Sequence, residues 1–250
     1  MKTLFIGQNS IHLGTVDSTN SYASEMLRQK SVLDGTLIVS YGQEKGKGQR
    51  GNQWLSEPDK NVAASIILYP GFLSPDQQFM LNKIISLAVA DLMTECLANT
   101  EIHIKWPNDI YAGKKKIAGI LIENTLRDGK IQHSIIGIGV NINQMNFEPG
   151  LNATSMALES KIDFNLTVIV ERLCSFVEAR YLQLKGKKIE KTDEEYESLL
   201  YRRNAWHCYS ASNEKFEGKI KGVAGSGKVI MELRNGESKE FDLKEIEFIP

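Results

Sequence analysis

Residues 102–143 read IHIKWPNDIYAGKKKIAGILIENTLRDGKIQHSIIGIGVNIN. Three parts of that stretch, residues 102–106, 116–123 and 130–143, predict short strands. The joining segments, 107–115 and 124–129, are turn-like, so consecutive strands lie side by side and antiparallel. Long helical patterns flank this block. Upstream, Ser74-Pro75-Asp76-Gln77 has capping-box spacing with proline at the first helical position. The helix it starts runs to about Leu97, with Leu81, Ile85, Ala88, Leu92 and Cys96 on a core-packing stripe. Downstream, residues 166–184 form a second long helix with Ile169, Leu173, Phe176 and Val177 near one face. A charged helix follows over about residues 192–203.

Further out, Asp17-Ser18-Thr19-Asn20 precedes a helical pattern that continues to about Gln29, and Asp17 or Ser18 can cap it. Residues 36–41 and 62–69 read as strands. Strands interspersed with two long helices make residues 1–203 an α+β unit. From Trp206 the texture changes to short strands, near 206–210, 216–223, 227–233, 238–243 and 245–249, separated by Ser-Asn, Gly-Ser-Gly and Asn-Gly turns. That pattern predicts a small β-barrel and a boundary near Asn204, giving domains 1–203 and 204–250.

Composition bounds the function. The chain has 250 residues, 42% of them hydrophobic and 24% charged, which is ordinary globular usage. A net charge of −1 gives no general attraction to nucleic acid or membrane surface. Cys96, Cys174 and Cys208 form no CxxC pair, so a disulfide framework or zinc site is not expected and a reducing cytoplasm is. No signal peptide and no apolar run near the ~18 residues of a membrane span occurs. His12, His103, His133 and His207 lack metal-ligand spacing.

Four clusters can carry chemistry. The loop Gln43-Glu44-Lys45-Gly46-Lys47-Gly48-Gln49-Arg50-Gly51-Asn52-Gln53-Trp54 mixes glycines with cations, as an anion-binding concavity requires, though a solvated flexible loop has the same composition. Lys105-Trp106-Pro107-Asn108-Asp109 ends a strand in a proline turn that presents an amide and a carboxylate. That carboxylate can hold Mg²⁺, or the turn can be structural. Lys116, at the mouth of the strand that begins Ile117-Ala118-Gly119, can act as a fixed charge beside a carboxylate, while Lys114 and Lys115 read as solvated. Gly137-Ile138-Gly139-Val140-Asn141 allows close approach of a flat ligand, with Asn141 offering a donor and an acceptor.

The order of these pieces resembles biotin–protein ligases: Asp-Ser-Thr-Asn, the Gln-x-x-Gly-Lys-Gly-x-x-Gly-x-x-Trp loop, Lys-Trp-Pro-Asn-Asp, Lys-Ile-Ala-Gly-Ile-Leu-Ile-Glu and Gly-x-Gly-x-Asn. The resemblance covers about residues 13–143 and extends weakly through the C-terminal strands, which are similar to that family's SH3-like domain. It implies a mixed sheet flanked by helices, related to class II aminoacyl-tRNA synthetases. It implies activation of biotin with MgATP to biotinyl-5′-AMP, then transfer to a lysine of a biotin carboxyl carrier domain.

By position, Ser18, Thr19, Asn20 and Gln43 match biotin contacts, and Lys47, Gly48 and Gln49 fall in the loop that closes over biotin and phosphate. Trp54, Asn108 and Asn141 match nucleotide contacts, and Asp109 is the Mg²⁺ candidate. Lys116 matches the key lysine near the biotin carboxylate. Many members carry Gly-Arg-Gly-Arg-Arg-Gly-Arg in the loop, and the phosphate-holding arginine falls here at Gln49. Lys47 and Arg50 are therefore expected to share its catalytic load. Only 16 residues precede Asp17, too few for a helix-turn-helix, so the expectation is a monofunctional ligase that binds no operator DNA. Oligomeric state stays open, a homodimer included. The competing expectations are a lipoate–protein ligase, whose usual glycine triplet is missing here, and a non-catalytic biotin, adenylate or nucleic-acid binder. Gly225-Ser226-Gly227-Lys228 looks superficially phosphate-binding but sits where a hairpin turn is expected.

Overall fold

The computed structural model describes residues 2–187 and 189–249, with Arg50 described by its backbone alone. Seven strands form a mixed sheet. β1 (Ser10–Val16) runs parallel to β2 (Thr36–Gln43), and α1 (Thr19–Gln29) makes the crossover that parallel neighbours require. β3 (Val62–Leu68), β4 (Ile102–Lys105), β5 (Asp109–Ala112), β6 (Lys115–Arg127) and β7 (Lys130–Val140) pair antiparallel, in the order β1-β2-β3-β7-β6-β5-β4. The β6–β7 hairpin turns at Asp128 and Gly129, both with positive φ.

One face of the sheet is closed by α2 (Phe79–Cys96) and α4 (Leu166–Lys185), which pack on each other and supply most of the apolar core. Arg180 on α4 holds both carboxylate oxygens of Asp91 on α2, at 2.7 and 2.9 Å. α5 (Ile189–Ser198) is tied to α2 by buried Lys83, whose ammonium lies 2.8 Å from Asp193 and over the rings of Phe79 and Tyr196. On the opposite face, α1 buries Ala23 and Met26 against Ile38, Ile67 and Ile135.

The second sheet holds β8 (Trp206–Ala211), β9 (Glu214–Val223), β10 (Val229–Leu233), β11 (Ser238–Phe241) and β12 (Glu247–Phe248) in the order β11-β10-β9-β8-β12, all antiparallel. The expectation of a barrel is corrected here. Among the described residues no ladder joins β11 to β12, so the sheet is open. Its edge strands have only four and two residues.

Two local expectations also differ, and two elements, β1 and α3, have no counterpart among them. Residues 107–115 contain β5, a four-residue strand with partners on both sides, rather than turn alone. β1 carries a mostly polar, half-exposed pattern, and its short apolar signal is completed only by pairing with β2. The short helix α3 (Met156–Ser160) is held by its Ser155 cap. The charged helix, α5, ends at Ser198, before Arg202 and Asn204 adopt positive φ. The Ser74 start is as expected, but its first turn is 3₁₀, over Pro75–Gln77. No helix among the described residues is long and apolar enough to cross a membrane.

Candidate active site

Strand alternation builds the site. Val62, Ala64, Ile66 and Leu68 of β3 and Ile136, Ile138 and Val140 of β7 enter the helix-covered core. The intervening residues therefore face the other way: Ala63 and Ser65 on β3, Gly137 and Gly139 on β7, and Gly119, Leu121 and Glu123 on β6. Register aligns them in rows across three strands. Ser65 lies beside Gly137 and Gly137 beside Leu121, while Ala63 lies beside Gly139 and Gly139 beside Gly119.

Each row seats one side chain. A methyl group on Gly137 would overlap the Asn20 side-chain amide. A methyl on Gly139 would stand 2.5 Å from Cε2 of Trp54, and one on Gly119 3.0 Å from its Cζ3. The absent side chains are thus what allow α1 and the Gln43–Trp54 loop to approach the sheet.

Above these rows lies a cleft of about 330 Å³. Ser18, Thr19, Asn20 and Gln43 line it, joined by Lys47, Gly48, Gln49 and Trp54 from the loop and by Asn108, Asp109 and Lys116. Leu243, Ile246, Glu247 and Phe248 of the C-terminal segment complete the lining. Two expected residues stand apart. Asn141 does not line the cleft; its amide donates to the Thr154 carbonyl at 3.0 Å. The side chain of Arg50, expected to share the load with Lys47, lies outside the described residues. Lys45 is held by Asp17 at 2.9 Å.

Ser18 caps α1, accepting from the Ser21 N–H at 3.5 Å. The Thr19 N–H donates to Gln43 Oε1 at 2.8 Å, and Gln43 Nε2, beside Gly46, has no acceptor among the described residues. Lys116 and Asp109, on paired strands, form an ion pair of 2.7 Å, and the Lys116 ammonium lies 5.4 Å from the centre of the Trp54 ring. Asn108 donates its amide to the Ile120 carbonyl and, through its own carbonyl, accepts from the Ile120 N–H at 3.0 Å. The Trp54 indole N–H is buried without a partner among the described residues, a cost that an acceptor on a ligand would remove.

Sequence reasoning missed Lys105 as a cleft residue. Its ammonium donates to the Tyr111 hydroxyl at 3.2 Å and sits 5.1 Å from the Phe248 ring, bridging the two sheets. Burial pulls the Lys105 ammonium below the usual lysine range and pushes the Tyr111 hydroxyl up to about 12. The Lys-Trp-Pro-Asn-Asp run contains Lys105, but nothing in the sequence marks Leu243, Ile246 or Phe248, because their role depends on how the second sheet docks.

A family model for the biotin/lipoate A/B protein ligase family matches residues 13–141, more than half of the chain and the whole region that builds the cleft floor. The chain belongs to that family. It is an enzyme, a ligase. This ligase is 28% identical over 243 residues to the bifunctional ligase/repressor BirA of Bacillus spizizenii, covering 96% of this chain and 74% of that one. It is 34% identical over 134 residues to the biotin–[acetyl-CoA-carboxylase] ligase of Paracoccus denitrificans, covering 52% and 53% of the two chains. Its fold superimposes on the biotin protein ligase from Aquifex aeolicus in complex with biotin and ATP with a TM-score of 0.80, at 26% identity, over 96% of this chain and 98% of that one. The latter two carry biotin, not lipoate, in their names and place this ligase with the biotin-ligating enzymes.

Proposed function

We propose that this ligase joins biotin to AMP and then transfers the biotinyl group to a lysine of a biotin carboxyl carrier domain. In the first step a biotin carboxylate oxygen attacks the α-phosphorus of ATP and pyrophosphate leaves. In the second, the acceptor ε-amine attacks the carbonyl of the mixed anhydride, an amide forms and AMP leaves. Neither step needs a covalent enzyme intermediate, so catalysis rests on positioning and on charge fixed in advance.

The single observation that carries the reading is the convergence of Lys116 with a polar wall and an aromatic floor in one cleft. Lys116 would orient the biotin carboxylate, exchanging its Asp109 partner for the substrate. Trp54 would stack on the adenine, and Lys47 would meet the phosphate as a point charge rather than a bidentate fork. Charge neutralisation on the nucleotide's phosphates is what Mg²⁺ would supply when bound. The fit is that of a nucleotide-borne ion: among the described residues no group of three His, Cys, Asp or Glu could hold a metal, and such ions need only one or two protein carboxylates. Asp109, on the cleft wall, is the residue that would hold it. Asn141 would act on the nucleotide only through the backbone it fixes. The free thiols Cys96, Cys174 and Cys208 suit a reducing cytoplasm.

Lipoate is the alternative acid. Ser18, Thr19, Asn20 and Gln43 line the cleft with hydroxyls and amides that a ureido ring can satisfy and a dithiolane cannot. The test is a purified biotin carboxyl carrier domain incubated with this ligase, MgATP and either acid, read by mass spectrometry. Biotin should add one biotinyl group to one lysine. Addition of lipoyl instead, or of neither, would contradict the proposal.

A further inference from the structure

Asn20 is held from three sides, by Glu123 and Leu121 of β6 and by Ser65 of β3, none of which has been given a role above. Its Nδ2 donates to the Glu123 carboxylate at 2.7 Å and points to the Leu121 carbonyl at 3.4 Å. Its Oδ1 accepts from the hydroxyl of Ser65 at 2.6 Å, and Ser65 is completely buried. The same Ser65 oxygen lies 2.8 Å from Thr19 Oγ1. Asn20 itself is 4% exposed and lies across the Ser65–Gly137–Leu121 row.

Proton counting then gives these contacts a direction. A carboxylate only accepts, so Glu123 fixes which end of the Asn20 amide is nitrogen. The amide oxygen must then face Ser65, which spends its one proton there. With that proton committed, the single Thr19 hydroxyl proton goes either to Ser65, at 2.8 Å, or to Gln43 Oε1, at 3.3 Å, and in both cases the Thr19 oxygen is left only as an acceptor. Thr19 Oγ1 and Asn20 Oδ1 are left as acceptors on the cleft wall, while the Ser18 hydroxyl and Gln43 Nε2 remain donors.

We infer that Glu123 and Ser65 are positioning residues that set the donor–acceptor polarity of the cleft wall, and so select a cyclic urea. Resting on the biotin reading above, the acceptors meet the two ring N–H groups and the donors meet the ring carbonyl. Glu123 acts through Asn20; it does not line the cleft. Its replacement by glutamine keeps the shape but offers a donor as well as an acceptor, and the Asn20 amide can then turn over.

The experiment compares wild type, Glu123→Gln and Ser65→Ala in biotin-dependent pyrophosphate exchange, with biotin and with biotin methylated on a ureido nitrogen. Both variants should raise the KM for biotin about tenfold, the scale of a hydrogen bond to a charged group, with kcat within about twofold. Wild type should reject the N-methyl compound strongly, and that penalty should shrink in both variants, because the acceptor facing the N–H is no longer fixed. Thermal midpoints are recorded alongside. An unchanged KM, or a KM that rises equally for both ligands so that the penalty persists, would overturn the inference and leave Glu123 a structural residue. Absence of exchange in wild type would instead overturn the biotin reading itself, a distinguishable outcome.

Discussion

Lys105 is a half-buried cation whose cost should be measurable. Its ordinary value is 10.5, and burial in the fold lowers it. The folded state therefore binds fewer protons than the unfolded chain between the depressed value and 10.5, and stability rises with pH through that window. Lys105→Met should accordingly raise the thermal midpoint near neutral pH, and the gain should fade as pH approaches 10.5. A midpoint gain independent of pH would assign the effect to packing alone. The same variant should bind ATP more weakly, since a cleft cation is lost. At this scale the sequence was informative where residues sit in dense motifs: Ser18 to Asn20, Gln43, Lys47 to Gln49, Trp54, Asn108, Asp109 and Lys116 all line one cleft. Ser65 was not legible, because a single serine within an apolar strand gives no local signal. Its meaning comes from Asn20, 45 positions away. Asn141 was legible as a residue but not in orientation, which Thr154 decides.

Elements place these residues through alternation and register. Gly139 on β7 is the clearest case, because its missing side chain seats Trp54. Gly139→Ala should push the indole off the sheet and raise the KM for ATP by about tenfold or more, since small misplacements of a stacking group are costly. Steady-state kinetics with circular dichroism checks this. An unchanged KM for ATP would show that Trp54 does not serve the nucleotide. Long elements were readable from periodicity: α2, α4 and the β6–β7 hairpin emerge within a few residues of expectation. Short ones were not. β1, β5 and α3 have seven, four and five residues and owe their form to pairing or a cap, not to intrinsic pattern.

On the scale of the whole molecule, the second sheet is latched to the cleft. The Trp106 indole N–H donates to the Gly227 carbonyl at 2.9 Å, and Gly227, at φ 92°, lies against Phe79 at the start of α2. Trp106→Phe would leave that carbonyl unsatisfied at a cost of about 1–3 kcal/mol. The midpoint should fall by several degrees, at about 2–4 °C per kcal/mol for a chain of this size. The KM for ATP should rise with it, because Phe248 and Ile246 line the same cleft. A lowered midpoint with unaltered kinetics would separate the latch from the site. The two-sheet plan was visible in the change of texture at Trp206, but closure of the second sheet was not, because strand count says nothing about whether edges meet. The central claim, that the cleft activates biotin through Lys116, is tested most directly by biotin-dependent ATP–pyrophosphate exchange in wild type and Lys116→Ala. Exchange that requires biotin and falls by about a hundredfold or more in the variant is the result predicted. Biotin-dependent exchange that survives the substitution would contradict it and shift the load to Lys47 and Arg50.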